Sequence, residues 1–287
     1  MQWKINIKNG GKTGLRFRIA NNGKQGQDQF QLCAVGIGLY LPAGNFYYLR
    51  RSMMAGVFYG VGVGPGDPEL LTVKAVKVIG AADVIIAPRT EKNANSTALD
   101  IAKPFLKADV AIVKMVFPMV DHSETLAEAW ETNKNIILEL LAEGKKVVFL
   151  TLGDPMFYST YIYMFHSLEN CGCSMETVPG VPAFCAIGSM IGYPLAEGDD
   201  VLSIIPATIP EAKMDQVLGI SDNVVLLKVS KNYRQVVAKL QHHGLAEHAV
   251  MVSRCGLDDE QVVRDLRDSS AQKVNYLSTI LARRNKA

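Results

Sequence analysis

The sequence predicts a two-domain α/β fold: a parallel sheet covered by helices on both faces, then a smaller domain built on a mixed sheet. Three observations carry this expectation. From residue 54 to about residue 178, strand-like and helix-like segments alternate, the βαβα pattern of a sheet buried on both sides. Two of those strands run into matching turns, Gly64-Pro65-Gly66-Asp67-Pro68 and Gly153-Asp154-Pro155. Beyond the Pro- and Gly-rich stretch 179–200, strands come closer together and helices become fewer, which marks a mixed sheet. The expected division is therefore 1–53, 54–180 and 181–287, with a cleft between the last two.

Residues 1–53 stand apart. They are rich in Gly, Asn, Gln and Lys, and show no sustained periodicity. Up to residue 52 they hold eight Lys/Arg against the single acid Asp28, a charge of +7, which leaves −5 for the rest of a chain with a formal net charge of +2. Scattered glycines cannot supply a core that offsets ordering entropy, so this stretch reads as a poorly ordered basic extension.

The body then unfolds element by element. Residues 57–63 read as a strand, and 69–82 set Leu70, Val73, Val76, Val78 and Ile79 near helical spacing. Residues 83–87 form a short buried strand. A helix over 96–106 starts at Ser96, a cap-forming residue, and turns Leu99, Ile101, Ala102 and Phe105 inward. A strand over 110–116 precedes a long helix over 122–143, stopped by Gly144. The most apolar strand is 147–152, followed by a helix over 158–169 and a strand over 175–178. In the second domain, a helix over 183–191 leads to strands at 201–205, 224–229, 249–253, 261–266 and 274–283. Helices at 211–218 and 232–242 lie among them.

Composition excludes several classes. A mildly acidic body lacks the basic stripe of a nucleic-acid surface, and no run of about 20 uninterrupted apolar residues would span a membrane. No signal-peptide pattern is evident either, so the chain reads as cytoplasmic. Its five cysteines include Cys171-Gly172-Cys173, a C-x-C pair and not the C-x-x-C of zinc or redox sites. His122, His166 and His248 have no carboxylate or cysteine at ligand spacing, and His242-His243 fall at a helix end, so no metal site is expected.

The two matched turns carry the functional signal. Strand ends on one edge of an open α/β sheet are where ligands bind. The first turn departs from the dinucleotide fingerprint, because Asp67 stands where a third glycine belongs. Its charge would repel a pyrophosphate at a helix N-terminus, and no G-x-x-x-x-G-K-[ST] loop occurs. A nicotinamide enzyme would also need an acid where Ala87-Pro88-Arg89 stands. Asp67 serves equally as the cap of the helix beginning at residue 68 or 69, or as an acid facing a ligand. Lys114, Lys228, Arg234 and Arg254 lie at or near strand ends, suited to a polyanionic substrate. Tyr158, Tyr161, Tyr163 and Phe165 read as core packing on one helix.

From residue 54 to 284 the chain resembles the tetrapyrrole (corrin/porphyrin) methylases. The resemblance rests on YGVGVGPGDPELLTVKAV (59–76), FLTLGDPMFYSTYIY (149–163), ETVPGVPAFCAIG (176–188), PLAEGDD (194–200), NVVLLKVSKN (223–232), AVMVSRCG (249–256) and NYLSTILARR (275–284). Phe117-Pro118-Met119 with Glu128-Ala129-Trp130 resembles the subgroup that methylates C-20 of precorrin-2 or its cobalt form. The resemblance implies a two-domain tetrapyrrole methylase-like fold, a homodimer, a tetrapyrrole substrate, and S-adenosylmethionine held in the cleft largely by backbone groups. Carried over by position, it implies a cofactor site of Pro65, Leu152, Gly153, Asp154, Phe157, Pro182, Ala183, Lys228 and Cys255. Asp67 falls where the family places an acid near the substrate. Pro182 stands where relatives often carry Thr or Ser, so that position offers no hydroxyl. The motifs alone leave open a different ring carbon, a protein substrate as in diphthamide-type methylases, and a non-catalytic tetrapyrrole binder.

Overall fold

The computed structural model describes residues 4–9, 15–20, 55–89, 95–117, 124–266 and 274–284, with 4–9, 15–20 and 124–127 by backbone alone. By its internal contacts the chain divides into Met1–Met53 and Met54–Ala287. In the first unit, β1 (Lys4–Asn9) and β2 (Leu15–Ala20) pair antiparallel. No regular element was expected there. The alternation of Ile5 and Ile7, and of Leu15, Phe17 and Ile19, is a period-two signal set among glycines and asparagines. The rest of the expected extension, with Cys33, lies outside the described residues.

The second unit holds two five-stranded sheets. The first is wholly parallel, in the order β5-β4-β6-β3-β7: Ala111–Val116, Val84–Arg89, Lys146–Thr151, Val57–Gly62 and Ser174–Val178. Helices α1 (Val73–Gly80) and α2 (Thr97–Ala102) cover one face, where Ala75, Ile79, Ile101 and Ala102 pack on Val61, Ile85, Val148 and Leu150. Helices α3 (Glu124–Ala142) and α4 (Thr160–Leu168) cover the other, where Ile137, Leu141, Tyr161 and Met164 pack on Phe58, Ile86, Val147 and Phe149. Consecutive residues of β6 thus serve opposite cores, which is why that strand reads as an unbroken apolar run. Each such side chain contributes about 1.5–3 kcal/mol by leaving water.

This strand order locates the binding edge. From β3 the chain steps one way along the sheet through α1, and from β6 it steps the other way through α4. Right-handed crossovers then put α1 and α4 on opposite faces. Because β3 and β6 are neighbours, the chain reverses its direction of travel between them, and the sheet edge beyond their ends is the switch point where ligands bind.

The second sheet runs β11-β10-β12-β9-β8: Gln261–Val263, Val250–Ser253, Ser278–Arg283, Asn223–Leu227 and Leu202–Pro206. Only β8 and β9 are parallel. Helices α6 (Glu211–Ile220) and α7 (Tyr233–His242) bury Met214, Leu218, Val236 and Leu240 against one face. Helix α5 (Ala183–Ile191) packs Phe184 and Ile187 on Val225, Val252 and Leu281 of the other.

Three local expectations are corrected. The helix read over 69–82 is broken: Asp67 caps only a single 3-10 turn, Pro68–Leu70, and α1 begins afresh under Thr72, whose Oγ1 accepts from Ala75 N at 3.1 Å. Ser96 stands at the N-cap of α2 yet makes no side-chain cap bond, and a 3-10 turn at Lys103–Phe105 ends that helix early. Tyr158 lies outside α4 with φ +48°, so the expected aromatic core face reduces to Tyr161, which is fully buried, and Phe165, which is partly buried and packs against it; Tyr163 is exposed. His122 and Pro118-Met119 lie outside the described residues.

Candidate active site

The loops beyond β3 and β6 are zipped together. Gly153 N donates to Gly64 O at 2.8 Å, and Gly64 N reaches back to Gly153 O at 3.4 Å. Both glycines are left-handed, with φ +75° and +72°, a conformation that glycine adopts freely. A third strand end joins them through Asp154. Its Oδ2 accepts from Gly180 N at 3.0 Å and its Oδ1 from Met156 N at 2.8 Å. The carboxylate therefore ties the β6 turn to the Pro179-Gly180 segment beyond β7, with both oxygens engaged by backbone.

These loops form one wall of a cleft of about 190 Å³, and the mixed sheet forms the other. All nine residues carried over as a cofactor site line it: Pro65, Leu152, Gly153, Asp154, Phe157, Pro182, Ala183, Lys228 and Cys255. Asp67 is not among the lining residues. Its Oδ1 accepts from Glu69 N at 2.8 Å, which is the capping role. Of the four basic residues flagged at strand ends, Lys228 and Arg254 reach the cleft, whereas Lys114 and Arg234 are exposed elsewhere.

Sequence reasoning missed part of the lining. Tyr158, Phe184, Leu227, Val252 and the run Tyr276-Leu277-Ser278-Thr279 also face the cleft. NYLSTILARR had marked the last run as a family segment without assigning it a place. Among the described residues, the only non-glycine positions with positive φ are Tyr158, Lys228 and Arg254, and all three line the cleft. Strain of this kind concentrates at functional sites.

The electrostatics of the walls are mixed. Burial, and then the nearby Glu260 carboxylate, push the Cys255 thiol up to about 11, so it stays protonated at neutral pH. Arg254 Nε is hydrogen-bonded to Asp259 Oδ1, and that guanidinium holds the Asp259 carboxyl below its ordinary range. Phe157 stacks edge-on against Tyr158, with centroids 4.9 Å apart, and tilts against Phe184 at 5.4 Å. An aromatic stack thus joins the β6 loop to α5. No group of three His, Cys, Asp or Glu side chains able to hold a metal ion occurs among the described residues, and no helix among them is long and apolar enough to cross a membrane.

The fold is that of known methyltransferases. Residues 57–269 match the family described as Tetrapyrrole (Corrin/Porphyrin) Methylases. The cobalt-precorrin-2 C(20)-methyltransferase of Salmonella typhimurium is 36% identical over 231 residues, 79% of this chain and 96% of that protein. The precorrin-2 C(20)-methyltransferase of Sinorhizobium sp is 32% identical over 235 residues, 79% of this chain and 94% of that one. A solved cobalt precorrin-4 methyltransferase, a cobalamin biosynthetic enzyme, superposes with a TM-score of 0.63 at 25% identity, over 81% of this chain and 95% of that one. The fold is shared too with a uroporphyrin-III C-methyl transferase from Thermus thermophilus complexed with S-adenyl homocysteine, at TM-score 0.57 and 23% identity, over 79% and 97% of the two chains. The molecule is a two-sheet α/β methyltransferase. The chain belongs to the tetrapyrrole (corrin/porphyrin) methylase family.

Proposed function

We propose that this protein transfers a methyl group from S-adenosylmethionine to C-20 of precorrin-2 or of its cobalt form, cobalt-factor II, in corrin-ring assembly. The observation that carries the reading is the match to two C(20)-methyltransferases over 94–96% of their lengths. The cleft supports it. When bound, the cofactor supplies an electrophilic methyl group on a cationic sulfonium. Such a ligand needs apolar walls and carbonyl oxygens, not the amide nest of a phosphate site. The lining offers Leu152, Phe157, Ala183, Leu227 and Val252 as walls, a neutral Cys255 thiol, and the Gly153 carbonyl, which is held only loosely by Gly64.

The chain's own residues would act by placement. The glycine zipper and the Asp154 tie fix the loop backbone before a ligand arrives, so little ordering is left for binding. Pro65, Leu152, Gly153, Asp154, Phe157, Pro182, Ala183, Lys228 and Cys255 would hold the cofactor. Asp67 keeps one carboxylate oxygen outside its cap bond and would orient the substrate. The family resemblance supports a cytoplasmic homodimer as the working form, with a small-molecule tetrapyrrole as its substrate.

The test is direct. The purified protein is incubated with methyl-13C donor and either metal-free or cobalt-loaded substrate, and the product is read by NMR. A single new methyl at C-20 is expected. A methyl at another ring carbon would reassign the position, and no transfer to either substrate would overturn the reading.

A further inference from the structure

Two cationic side chains line the cleft, Lys228 and Arg254, and the structure treats them differently. Arg254 is matched by Asp259. Lys228 has no carboxylate within ion-pairing reach among the described residues; its ammonium lies over the face of Tyr158, 5.6 Å from the ring centroid. Asp154, the acid that lines the same cleft, is fully engaged by amides. Lys228 therefore brings a charge into a half-buried wall with only a tyrosine quadrupole to hold it.

Its backbone is equally specific. Lys228 follows β9 directly, in the left-handed region at φ +57°, and stands at the N-cap position of the next 3-10 turn without a side-chain cap bond. Tyr158, across the cleft, is left-handed as well. Two unfavourable backbone conformations thus bring one ammonium and one ring together over the opening. A cation–π contact at a partly exposed site is weaker than a charge-assisted hydrogen bond to a carboxylate. An incoming carboxylate would take the ammonium from the ring.

We propose that Lys228 is a specificity-determining residue whose ammonium leaves the Tyr158 face to bind a carboxylate of the ligand entering the cleft. The inference rests on the proposed methyl transfer and deepens it. The amino-acid tail of the methyl donor and the rim substituents of a tetrapyrrole both present carboxylates. A lysine suits either, being a point charge on a flexible stem.

The test uses Lys228→Met, which keeps the stem and removes the charge, and Lys228→Arg, which keeps the charge. Calorimetric titration with S-adenosylhomocysteine reports the donor side, and methyl-transfer kinetics at saturating donor report the tetrapyrrole side. Lys228→Met is expected to raise one of these two constants about tenfold, with kcat changed less than about threefold, and Lys228→Arg to recover most of the loss. A rise in the Kd for S-adenosylhomocysteine assigns the carboxylate to the donor. A rise in the KM for the tetrapyrrole assigns it to the substrate. Wild-type values of both constants in Lys228→Met overturn the proposal, as does a loss confined to kcat. Should Lys228→Met unfold, Lys228→Gly removes the charge while relaxing the left-handed backbone. Wild-type protein that binds S-adenosylhomocysteine but methylates no tetrapyrrole overturns the functional reading, while the titration still decides the role of Lys228. Wild-type protein that does neither overturns both.

Discussion

The two walls of the cleft are built by different means. The parallel-sheet wall is held by backbone: Gly62 and Gly180 lie too close to each other and to the Gly153 carbonyl for side chains, Gly64 and Gly153 pair amide to carbonyl, and the one acid on this rim, Asp154, accepts only from amides. The mixed-sheet wall is side chains: Lys228, Val252, Arg254, Cys255 and Thr279. The difference follows from sheet type. Parallel strands end together at one edge, so their loops can be zipped into a rigid rim. An antiparallel sheet exposes a face, and alternate residues of β10 and β12 point from it. The lesson is a division of labour, in which the first wall sets position and the second sets chemistry.

The sharpest way to break this comparison is to put a methyl group into the zipper. A Cβ at Gly62 would lie 2.5 Å from Gly153 O and 2.6 Å from Gly180 N. Neither atom can swing aside as a flexible side chain would. Gly62→Ala and Gly180→Ala are each expected to destabilise the protein by about 3 kcal/mol or to prevent folding. Urea unfolding measures the first outcome and soluble yield the second. A variant with wild-type stability would show that the rim is not rigid.

Asp154→Asn asks whether the rim needs a charge or only an acceptor. The amide retains one acceptor oxygen but turns an NH2 group toward a backbone N–H, so one of the two ties is lost. The expected cost is about 1–2 kcal/mol in urea unfolding, with weaker S-adenosylhomocysteine binding by calorimetry. Equal affinity in the variant would mean that the Gly180 segment is held in place by other contacts.

The contrast between the walls also explains what could be read in the sequence. The parallel half was legible because each strand that serves two cores is a continuous apolar run, as 147–151 is, and because turn chemistry is local: Gly-Asp-Pro marks a strand end wherever it occurs. The nine cleft residues fell together for that reason and because the resemblance supplied the distant partners. The helix after Asp67 was misread because Pro68 and Glu69 look like a first turn, while Thr72, three residues before Ala75, is the cap that the fold uses. Tyr158 was hidden because left-handed tyrosine has no signature; its spacing matches the buried side of α4, and only its backbone excludes it. The Tyr276–Thr279 run reaches the cleft through antiparallel pairing of β12 with β9 and β10, and such non-local pairing leaves no mark in a local pattern.

On the side-chain wall, Cys255 offers a pH test. Burial raises its thiol from the ordinary 9.0 to about 11, with Glu260 adding to the shift. An acid whose folded pKa is raised keeps its proton longer in the folded state. Its stabilising contribution is therefore complete below pH 9 and is lost as pH rises toward 11. Wild-type protein should lose thermal stability across that window more steeply than Cys255→Ala. At pH 7–8 the thiol should react only slowly with iodoacetamide. Parallel pH curves for the two proteins would place the thiol in water and remove it from the wall.

The smallest effect is expected on the outer side of the same sheet, where the side chains that matter are not those of the cleft. Asp215 on α6 accepts from Lys239 Nζ at 2.7 Å and pairs with His243 Nε2 at 3.1 Å, both on or just past α7. The hydrogen bond from Lys239, then that from His243, hold the Asp215 carboxyl below its ordinary value of 3.8. The sign is opposite to that of Cys255. A depressed carboxyl contributes stability above its unfolded pKa, and the contribution disappears as pH falls through the lower folded value. The cluster lies at the surface, with Asp215 its most open member and Lys239 and His243 largely covered, so added salt screens it in part and its worth is small. Asp215→Asn should therefore melt slightly below wild type at pH 6 in low salt and converge on it as pH falls below the ordinary carboxyl value of 3.8. Methyl transfer should be unchanged at every pH where both proteins are folded. A loss of activity in Asp215→Asn would mean that the two faces of the mixed sheet are coupled, and the division of labour would then extend through the whole second half instead of stopping at its inner wall.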